Sequence, residues 1–266
     1  MLGAGGVDAA DVFGTGYAAS YDALYSEKDY EAECDIIEEA FRRFSVPQVQ
    51  TVLDLGCGTG GITTFLAETY GPASIVGIDV DRGLIERAKK RAAEAGLGGS
   101  VTFRTVTPGP LPFAAGAFDL VFSKDAMVHI EDKEALFADI FRILRPGGSV
   151  AASDWMSGTD GPFSAAMAYY LDVEGLGFGM ASPSRYRTAM AAAGFRDIRM
   201  IDRNTWYAPI AHREHDALAG PLYDTLVARV GKAFVDHEIE VWHAMTIVVD
   251  SGELRPGHLR ARKPAG

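Results

Sequence analysis

The chain has 266 residues, of which 48% are hydrophobic and 23% charged, the balance of a soluble globular protein with a sizeable core. The 25 basic and 36 acidic residues give a net charge of −11, which argues against nucleic acid as a partner, because such binders neutralise phosphates with basic patches. No apolar run reaches the ~18 residues that span a bilayer. The first residues have no basic start and no long apolar stretch, so we expect no secretory signal, no membrane partner and a cytoplasmic location.

Metal and disulfide chemistry are disfavoured by residue counts. The chain has two cysteines, Cys34 and Cys57, too few for a disulfide framework or a cysteine-rich zinc site. None of the six histidines stands in a close metal-ligand pattern, so no metal site is predicted.

Residues 1–45 precede the first predicted strand and are rich in tyrosine, and we expect them to form an N-terminal cover. Residues 46–155 then alternate between strand-like and helix-like segments. Strands are predicted at 51–55, 74–79, 101–106, 118–122 and 149–154, and helices at 62–70, 82–95 and 133–144. This alternation predicts an α/β fold with a parallel sheet, right-handed crossovers and helices on both faces.

The remaining residues do not follow this alternation. A helix is predicted at 183–193, between Ser182 as its N-cap and Gly194 after its end. A strand is predicted at 197–201, mostly helix at 209–234, and strand pieces at 245–249 and 258–262, which suggests an antiparallel edge. We therefore expect one domain over 1–266, with the cover at 1–45, an α/β core at 46–155, an insertion at 156–245 that forms a lid and a C-terminal edge at 246–266.

A glycine-rich turn joins the first predicted strand to the first helix. Its sequence is DLGCGTGG, and Asp79 ends the next strand. Glycines allow a sharp turn and close approach to a ligand, and a carboxylate after the second strand can accept hydrogen bonds from ribose hydroxyls. Gly56, Gly58 and Gly61 also satisfy the dinucleotide pattern, which is weak alone. Asp54 would repel a diphosphate but attract a cationic ligand.

Four segments taken together, VLDLGCGTGG, VGIDVD, FDLVFSKDAMVHI and LRPGGSVAASD, resemble the class I S-adenosylmethionine-dependent methyltransferases over residues 49–155. The resemblance implies a Rossmann-like fold with a mostly parallel seven-stranded sheet, helices on both faces and a helical lid, and S-adenosyl-L-methionine as cofactor. It places Asp79 at the ribose and Ser123 near the sulfonium. Four further residues are placed at the methionine moiety: Asp54, Gly56, Gly58 and Gly60. Val80 and Thr107 are expected in the same pocket, with Thr107 where the family often has an acid that meets adenine.

Asp125 and His129 follow the fourth predicted strand and are four residues apart, so one helical turn would put them on one face. A histidine there can take a proton from a nucleophile, and a carboxylate can orient the ring or hold an amine. A helix cap and a structural histidine remain the alternative. The stretch SKDAMVHIEDK resembles the phosphoethanolamine and sarcosine/dimethylglycine N-methyltransferases, which share D-x-x-x-H here.

In that group an N-terminal segment with tyrosines closes over the site, and one tyrosine pairs with the histidine. The candidates here are Tyr17, Tyr21, Tyr25 and Tyr30. Tyr21 is the candidate for catalysis beside Asp125 and His129, and Tyr17 and Tyr30 are candidates for the cofactor; packing of an amphipathic helix by these tyrosines is the alternative. Phosphoethanolamine enzymes also carry a phosphate-binding arginine and lysine, which Leu176 and Ile247 replace here.

Four residues are predicted to bind the acceptor: Lys124, Trp155, Phe178 and Arg185. The aromatic ones suit a methylated ammonium through cation–π attraction, and an arginine suits a carboxylate. The predicted function is methyl transfer from S-adenosylmethionine to a small-molecule acceptor, with an amine nitrogen favoured over oxygen, sulfur or carbon and no oligomeric state predicted. A nucleotide-dependent oxidoreductase and a protein that binds the cofactor without turnover are less favoured functions for the same glycine turn.

Overall fold

The computed structural model describes residues 49–266, and this part of the chain forms a seven-stranded sheet. The strands are β1 (Thr51–Leu55), β2 (Ser74–Asp79), β3 (Val101–Thr105), β4 (Phe118–Lys124), β5 (Leu144–Ser157), β6 (Arg196–Asp202) and β7 (Leu254–Arg262). Their order is β3-β2-β1-β4-β5-β7-β6, and only β7 runs antiparallel to its neighbours. The predicted mostly parallel sheet of seven strands is confirmed. The predicted cover at 1–45, with its tyrosines, lies outside the described residues.

Helices connect the strands and form the outer layers. They are α1 (Gly61–Tyr70), α2 (Arg82–Glu94), α3 (Lys133–Ile143), α4 (Ala165–Glu174), α5 (Pro183–Ala193), α6 (Asn204–Ala219), α7 (Tyr223–Val230) and α8 (Lys232–Asp250). Side chains define several of the starts. Asp81, Asp132 and Ser182 each accept a hydrogen bond from a backbone N–H in the first turn of α2, α3 and α5, which satisfies a donor that the helix leaves unpaired.

Alternate residues of the central strands enter two hydrophobic clusters, one on each face of the sheet. On one face, Val52 and Phe122 pack with α1 and α2. On the other face, Leu53 and Val121 pack with α3 and α5. Because side chains alternate across a strand, one buried strand supplies both cores. The sheet is therefore covered on both sides, and the carboxyl ends of β1, β2 and β4 meet at one edge.

The helices α4, α6, α7 and α8 form a separate layer with its own hydrophobic cluster, centred on α8. Within the segment predicted as a lid, α5 and β6 instead belong to the sheet and its covering layer. The predicted strand at 245–249 is wrong, because these residues continue α8. Val241, Met245, Val248 and Val249 are all buried, a helical spacing that places them on one face.

Strand β5 begins earlier than predicted, at Leu144, so that Arg145 to Gly148 belong to the strand rather than to a turn. Its pairing with β4 is irregular there, with a register shift between Phe118 and Leu120. A Cβ on Gly148 would lie 2.9 Å from two backbone oxygens, so only glycine fits at this position of β5. Within residues 49–266, no helix combines the length and apolarity needed to cross a membrane.

Candidate active site

The glycine-rich turn between β1 and α1 adopts the backbone conformation that favours glycine at three positions. Gly56, Gly58 and Gly60 have φ angles of 76°, 52° and 77°, which L-residues rarely adopt. The N–H groups of Gly56 and Cys57 both donate to the carbonyl of Ile78, at 2.9 and 3.0 Å. The turn is thereby fastened to the end of β2.

The three glycines differ in the space around them. A Cβ on Gly56 would lie 2.2 Å from the Cβ of Ala126, and one on Gly60 would lie within 3 Å of Phe103 and Ala88. A Cβ on Gly58 would meet nothing within 4 Å. The turn is therefore packed on its inner sides and open at Gly58, as expected of a cradle that receives a ligand.

Two carboxylates flank this cradle. Asp54 is buried and accepts a hydrogen bond from the Thr63 hydroxyl at 2.6 Å. Burial raises its pKa to about 7, with a further contribution from the charge of Asp79. Asp79 accepts from the N–H groups of Gly58 at 2.9 Å and Asp81 at 3.0 Å, and burial raises its pKa as well. A cationic group in the cradle would relieve this concentration of negative charge.

The other predicted cofactor residues surround the same edge of the sheet. Val80 is half-buried next to Asp79, and Thr107 is exposed in the loop after β3, which is tied down by the Val106 N–H donating to the Asp79 carbonyl at 2.9 Å. Ser123 is fully buried, and its hydroxyl donates to the Leu55 carbonyl at 2.8 Å. It joins β4 to the end of β1, beside the glycine turn.

Asp125 and His129 do not share a helical turn, so the predicted turn is wrong. Asp125 has a φ of 51°, and its N–H donates to the Ser153 carbonyl at 2.9 Å, which ends the strand. Only residues Met127–His129 form a short 3-10 helix. The Asp125 carboxylate pairs with Lys124 at 2.7 Å. Both side chains still follow β4 directly, and Ala126 between them packs against Gly56.

His129 is held on two sides by the segment after α4. Its Nδ1 lies 3.0 Å from the carbonyl oxygen of Gly177, and because a carbonyl only accepts, Nδ1 carries the proton and donates. Its ring stacks on Phe178, with centroids 5.2 Å apart and planes at 18°. Burial lowers the pKa of His129, and the Gly177 hydrogen bond opposes this shift. The ring is therefore neutral near pH 7, with Nε2 as its basic nitrogen.

Further aromatic rings extend from this point. Phe178 stacks on Tyr170 with centroids 6.4 Å apart, and Trp155 meets Tyr207 edge-on at 5.1 Å. Burial raises the pKa of the Tyr207 hydroxyl, which donates to Glu214 at 3.2 Å, and the charge of Glu214 raises this pKa further.

Comparison with known proteins agrees with this geometry. A family model described as a methyltransferase domain matches residues 52–148. The chain is 30% identical over 178 residues to O-methyltransferase resE of Aspergillus sclerotiorum, covering 66% of this chain and 67% of that protein. The chain belongs to the S-adenosylmethionine-dependent methyltransferases. The predicted family, and S-adenosyl-L-methionine as its cofactor, are confirmed.

Two further matches describe the relation of this methyltransferase to N-methylating proteins. It is 31% identical over 203 residues to phosphoethanolamine N-methyltransferase 1 of Triticum aestivum, covering 76% of this chain and 37% of that protein. The chain spans 35% to 47% of the length of the phosphoethanolamine N-methyltransferases that it matches. The structure of Haemonchus contortus phosphoethanolamine N-methyltransferase 2, in complex with phosphomonomethylethanolamine and S-adenosylhomocysteine, matches 97% of this chain and 61% of that chain, with a TM-score of 0.84 and 22% identity.

The cradle of this methyltransferase fits S-adenosylmethionine. The ligand carries a sulfonium and an ammonium but no phosphate, and the buried Asp54 beside the turn suits positive charge and not a diphosphate. The open side of Gly58 leaves room for it, and each oxygen of Asp79 has a lone pair left for a ribose hydroxyl. The individual cofactor contacts stay predictions. Among the described residues, no group of three His, Cys, Asp or Glu side chains could hold a metal.

One predicted acceptor residue has another partner in the methyltransferase. Arg185 donates to Glu134 at 3.1 Å and to the Glu131 carbonyl at 3.1 Å, so its guanidinium is already paired, and its acceptor role stays a prediction without structural support. Sequence analysis also missed Lys133, Asp154 and Tyr186, all fully buried below the His129 loop. Only the charge of Asp154 within a largely apolar strand could have signalled one of them, because Lys133 stands between Asp132 and Glu134 in a charged stretch.

Proposed function

We propose that the protein transfers the methyl group of S-adenosylmethionine to the nitrogen of a small amine, with His129 as the base that removes the proton of that nitrogen. One observation carries the proposal: Nδ1 of His129 donates to Gly177, and burial lowers the pKa of the ring. A neutral imidazole with its protonated nitrogen fixed offers Nε2 as a proton acceptor at neutral pH.

The need for a base follows from the charge of the acceptor. An amine is protonated near pH 7 and has no lone pair with which to attack. His129 follows β4, whose loop packs on the glycine turn through Ala126 and Gly56, so its ring is close to the cofactor cradle. The amine gives its proton to Nε2, its lone pair forms the bond to the methyl carbon, and the carbon–sulfur bond breaks. The residues therefore act mainly by positioning and by accepting one proton.

The surroundings of His129 support a cationic acceptor. Asp125 supplies a carboxylate that it shares with Lys124, and the ring of Phe178, with Tyr170 stacked on it, lies beside His129. Each cation–π contact contributes about 0.5–2 kcal/mol. Before its proton is lost, an ammonium is attracted by all of these groups, and a methylated ammonium product remains attracted to the rings.

The partners of nearby cationic side chains support an acceptor without a phosphate. Lys124 pairs with Asp125, and Arg185 pairs with Glu134. Ile247, at the position where the phosphoethanolamine enzymes carry a lysine, is 47% exposed on α8. Among the described residues, a dianionic phosphate would therefore compete with Asp125 and Glu134 for these two cations. The proposed acceptor class is therefore small amines that carry no phosphoryl group.

The experiment is an acceptor panel with labelled S-adenosylmethionine: ethanolamine, phosphoethanolamine, sarcosine, dimethylglycine and a phenolic alcohol. We expect transfer to one or more of the phosphate-free amines and little to phosphoethanolamine. Preference for phosphoethanolamine would contradict the acceptor class, and exclusive methylation of the phenol would favour the second candidate, oxygen methylation. That candidate is supported by the 30% identity to an O-methyltransferase, and the same base would serve it.

The role of His129 is tested by His129→Gln. On a primary or secondary amine we expect kcat to fall by roughly 10²–10⁴, the range for a lost general base. Calorimetry should give S-adenosylhomocysteine binding close to that of the wild type, because His129 lies after β4 and not in the glycine turn. His212→Gln is the matched control, since that ring pairs with Asp250 on the far helices. Wild-type turnover by His129→Gln would exclude His129 as the base.

A further inference from the structure

Lys133, the first residue of α3, is fully buried. Its ammonium donates to the carbonyls of Met127 at 2.7 Å, Gly179 at 2.8 Å and Ile130. Three donors therefore meet three acceptors, which uses the whole hydrogen-bonding capacity of a lysine. None of these acceptors is a side chain, so the hydrogen bonds of Lys133 hold backbone segments together and do not form an ion pair.

The three carbonyls belong to the two segments that define the environment of His129. Met127 and Ile130 flank His129 in its loop, and Gly179 follows the pair of residues that contact the ring. The Gly179 N–H also donates to the Val128 carbonyl at 2.8 Å. A Cβ on Gly179 would lie 2.6 Å from Cα of Glu131, so the two segments are in direct backbone contact.

A second buried pair supports the loop from below. Asp154 of β5 accepts from the Val128 N–H at 3.2 Å and from the Tyr186 hydroxyl at 2.5 Å. The ammonium of Lys133 lies 5.2 Å from the centre of the Tyr186 ring. Burial lowers the pKa of Lys133, and the charge of Asp154 opposes that shift. The His129 loop is thus held by charged groups on both the α3 and the β5 side.

We propose that Lys133 is a positioning residue for methyl transfer: by joining the loop at 127–130 to Gly179, it holds the Gly177 carbonyl against Nδ1 of His129 and thereby fixes Nε2 as the basic nitrogen. The inference rests on the proposed function and deepens it, because it assigns Lys133 a role that operates through His129. Losing the ammonium would leave three buried carbonyls without their donor and would let the two segments separate.

The main test compares Lys133→Met with Lys263→Met. Lys263 is a matched control, because its ammonium also donates to two backbone carbonyls, of Phe141 and Leu144 at 2.7 Å each, but at the other end of α3. For Lys133→Met we expect kcat to fall about 10–100-fold, the scale for a misplaced catalytic group, with the Kd of S-adenosylhomocysteine and the KM of the acceptor within about threefold of the wild type. Lys263→Met should keep wild-type kcat.

Coupling to His129 is measured with the double variant. If Lys133 acts through His129, the Lys133→Met/His129→Gln protein should be no slower than His129→Gln alone. Multiplying effects, or a loss of cofactor affinity equal to the loss of kcat, would overturn the proposal. Lys133→Gln, which retains a donor, should recover part of the lost kcat, and it also serves if the methionine variant does not fold.

A nitrogen NMR measurement tests the geometry without turnover. In the wild type with S-adenosylhomocysteine, the His129 signal, assigned by its loss in His129→Gln, should report the tautomer protonated on Nδ1. In Lys133→Met or Lys133→Gln the two tautomers should mix. A wild-type ring protonated on Nε2, or unchanged signals in both variants, would overturn the inference. A third outcome is that the tautomer changes in the Lys133 variants while His129→Gln keeps the wild-type kcat. That result would contradict only the proposed function, because His129 would be positioned by Lys133 but would not be the base.

Discussion

The cofactor side and the acceptor side of this methyltransferase are built by different means. The cofactor side is one turn, in which Gly56, Gly58 and Gly60 take left-handed conformations and the backbone is fastened to Ile78 and Asp79. The proposed acceptor side is assembled from side chains and loops far apart in the chain. His129 contacts Gly177 and Phe178, 48 and 49 residues away. The first depends on local backbone geometry, and the second depends on packing between segments.

This difference has a functional consequence. A glycine turn fixed by its own hydrogen bonds presents one ligand in one place. The proposed acceptor site, made from a short 3-10 helix and the segment after α4, can be changed by substitutions in either of them without disturbing the turn. Related proteins that share the cofactor can then differ in acceptor, as the names of the N- and O-methyltransferase relatives illustrate.

The largest effect on the cofactor side should come from Gly56→Ala. Its new Cβ would lie 2.2 Å from the Cβ of Ala126 in a left-handed residue, so it adds overpacking to backbone strain, each about 1–3 kcal/mol. We expect the free energy of unfolding in urea to fall by roughly 2–5 kcal/mol. Gly58→Ala introduces only the backbone strain, and we expect its free energy of unfolding to fall by about 1 kcal/mol.

The two variants should also differ in binding. The methyl group of Gly58→Ala points into the open side of the cradle, so calorimetry should show weaker binding of S-adenosylhomocysteine relative to its small loss of stability. Equal stability losses in both variants would mean that the turn does not contact Ala126 as closely as in the structure. The glycine turn and the His129 loop would then not be joined through Gly56 and Ala126.

The same contrast explains what the sequence predicted. The sheet, the glycine turn and Asp79 were predicted because local patterns encode them, and the two faces of the sheet follow from alternating apolar residues. The strand at 245–249 failed because a short apolar run fits a strand or a buried helix equally. Lys133 and Tyr186 were missed because only tertiary packing brings them to the His129 loop. Asp125 and His129 follow β4 as predicted, although not in one helical turn, and their roles stay predictions.

Asp54 provides a smaller effect that depends on pH. Burial raises its pKa to about 7 from 3.8, so between these values the folded protein holds a proton that the unfolded chain has lost. Stability therefore falls as pH rises through this window. Between pH 5 and pH 7.5, the free energy of unfolding in urea should fall by about 2–3 kcal/mol less for Asp54→Asn than for the wild type.

Glu86→Gln is the control, since Glu86 is exposed on α2 and pairs with Lys89, and it should leave the slope unchanged. Added S-adenosylhomocysteine should reduce the wild-type loss, because its ammonium favours ionised Asp54. The same slope in Asp54→Asn and the wild type would mean that burial does not raise the pKa of Asp54 and that its carboxylate is ionised across this pH range.

The smallest effect should come from Phe178, on the acceptor side. Its ring stacks on His129 at 5.2 Å and on Tyr170 at 6.4 Å, so Phe178→Leu keeps an apolar side chain but removes the aromatic ring beside His129. A lost aromatic or cation–π contact of about 0.5–1.5 kcal/mol corresponds to a rise in acceptor KM of roughly 2- to 12-fold. Tyr169→Leu is the matched control, because Tyr169 is 49% exposed and its hydroxyl binds Glu240; the acceptor KM of this variant should not change.

The outcome also tests whether the two sides are coupled. If the acceptor KM rises for Phe178→Leu while the Kd of S-adenosylhomocysteine stays constant, acceptor binding and cofactor binding are energetically independent. If cofactor binding weakens by the same factor, the segment after α4 also covers the cradle, and the division between the two sides is wrong.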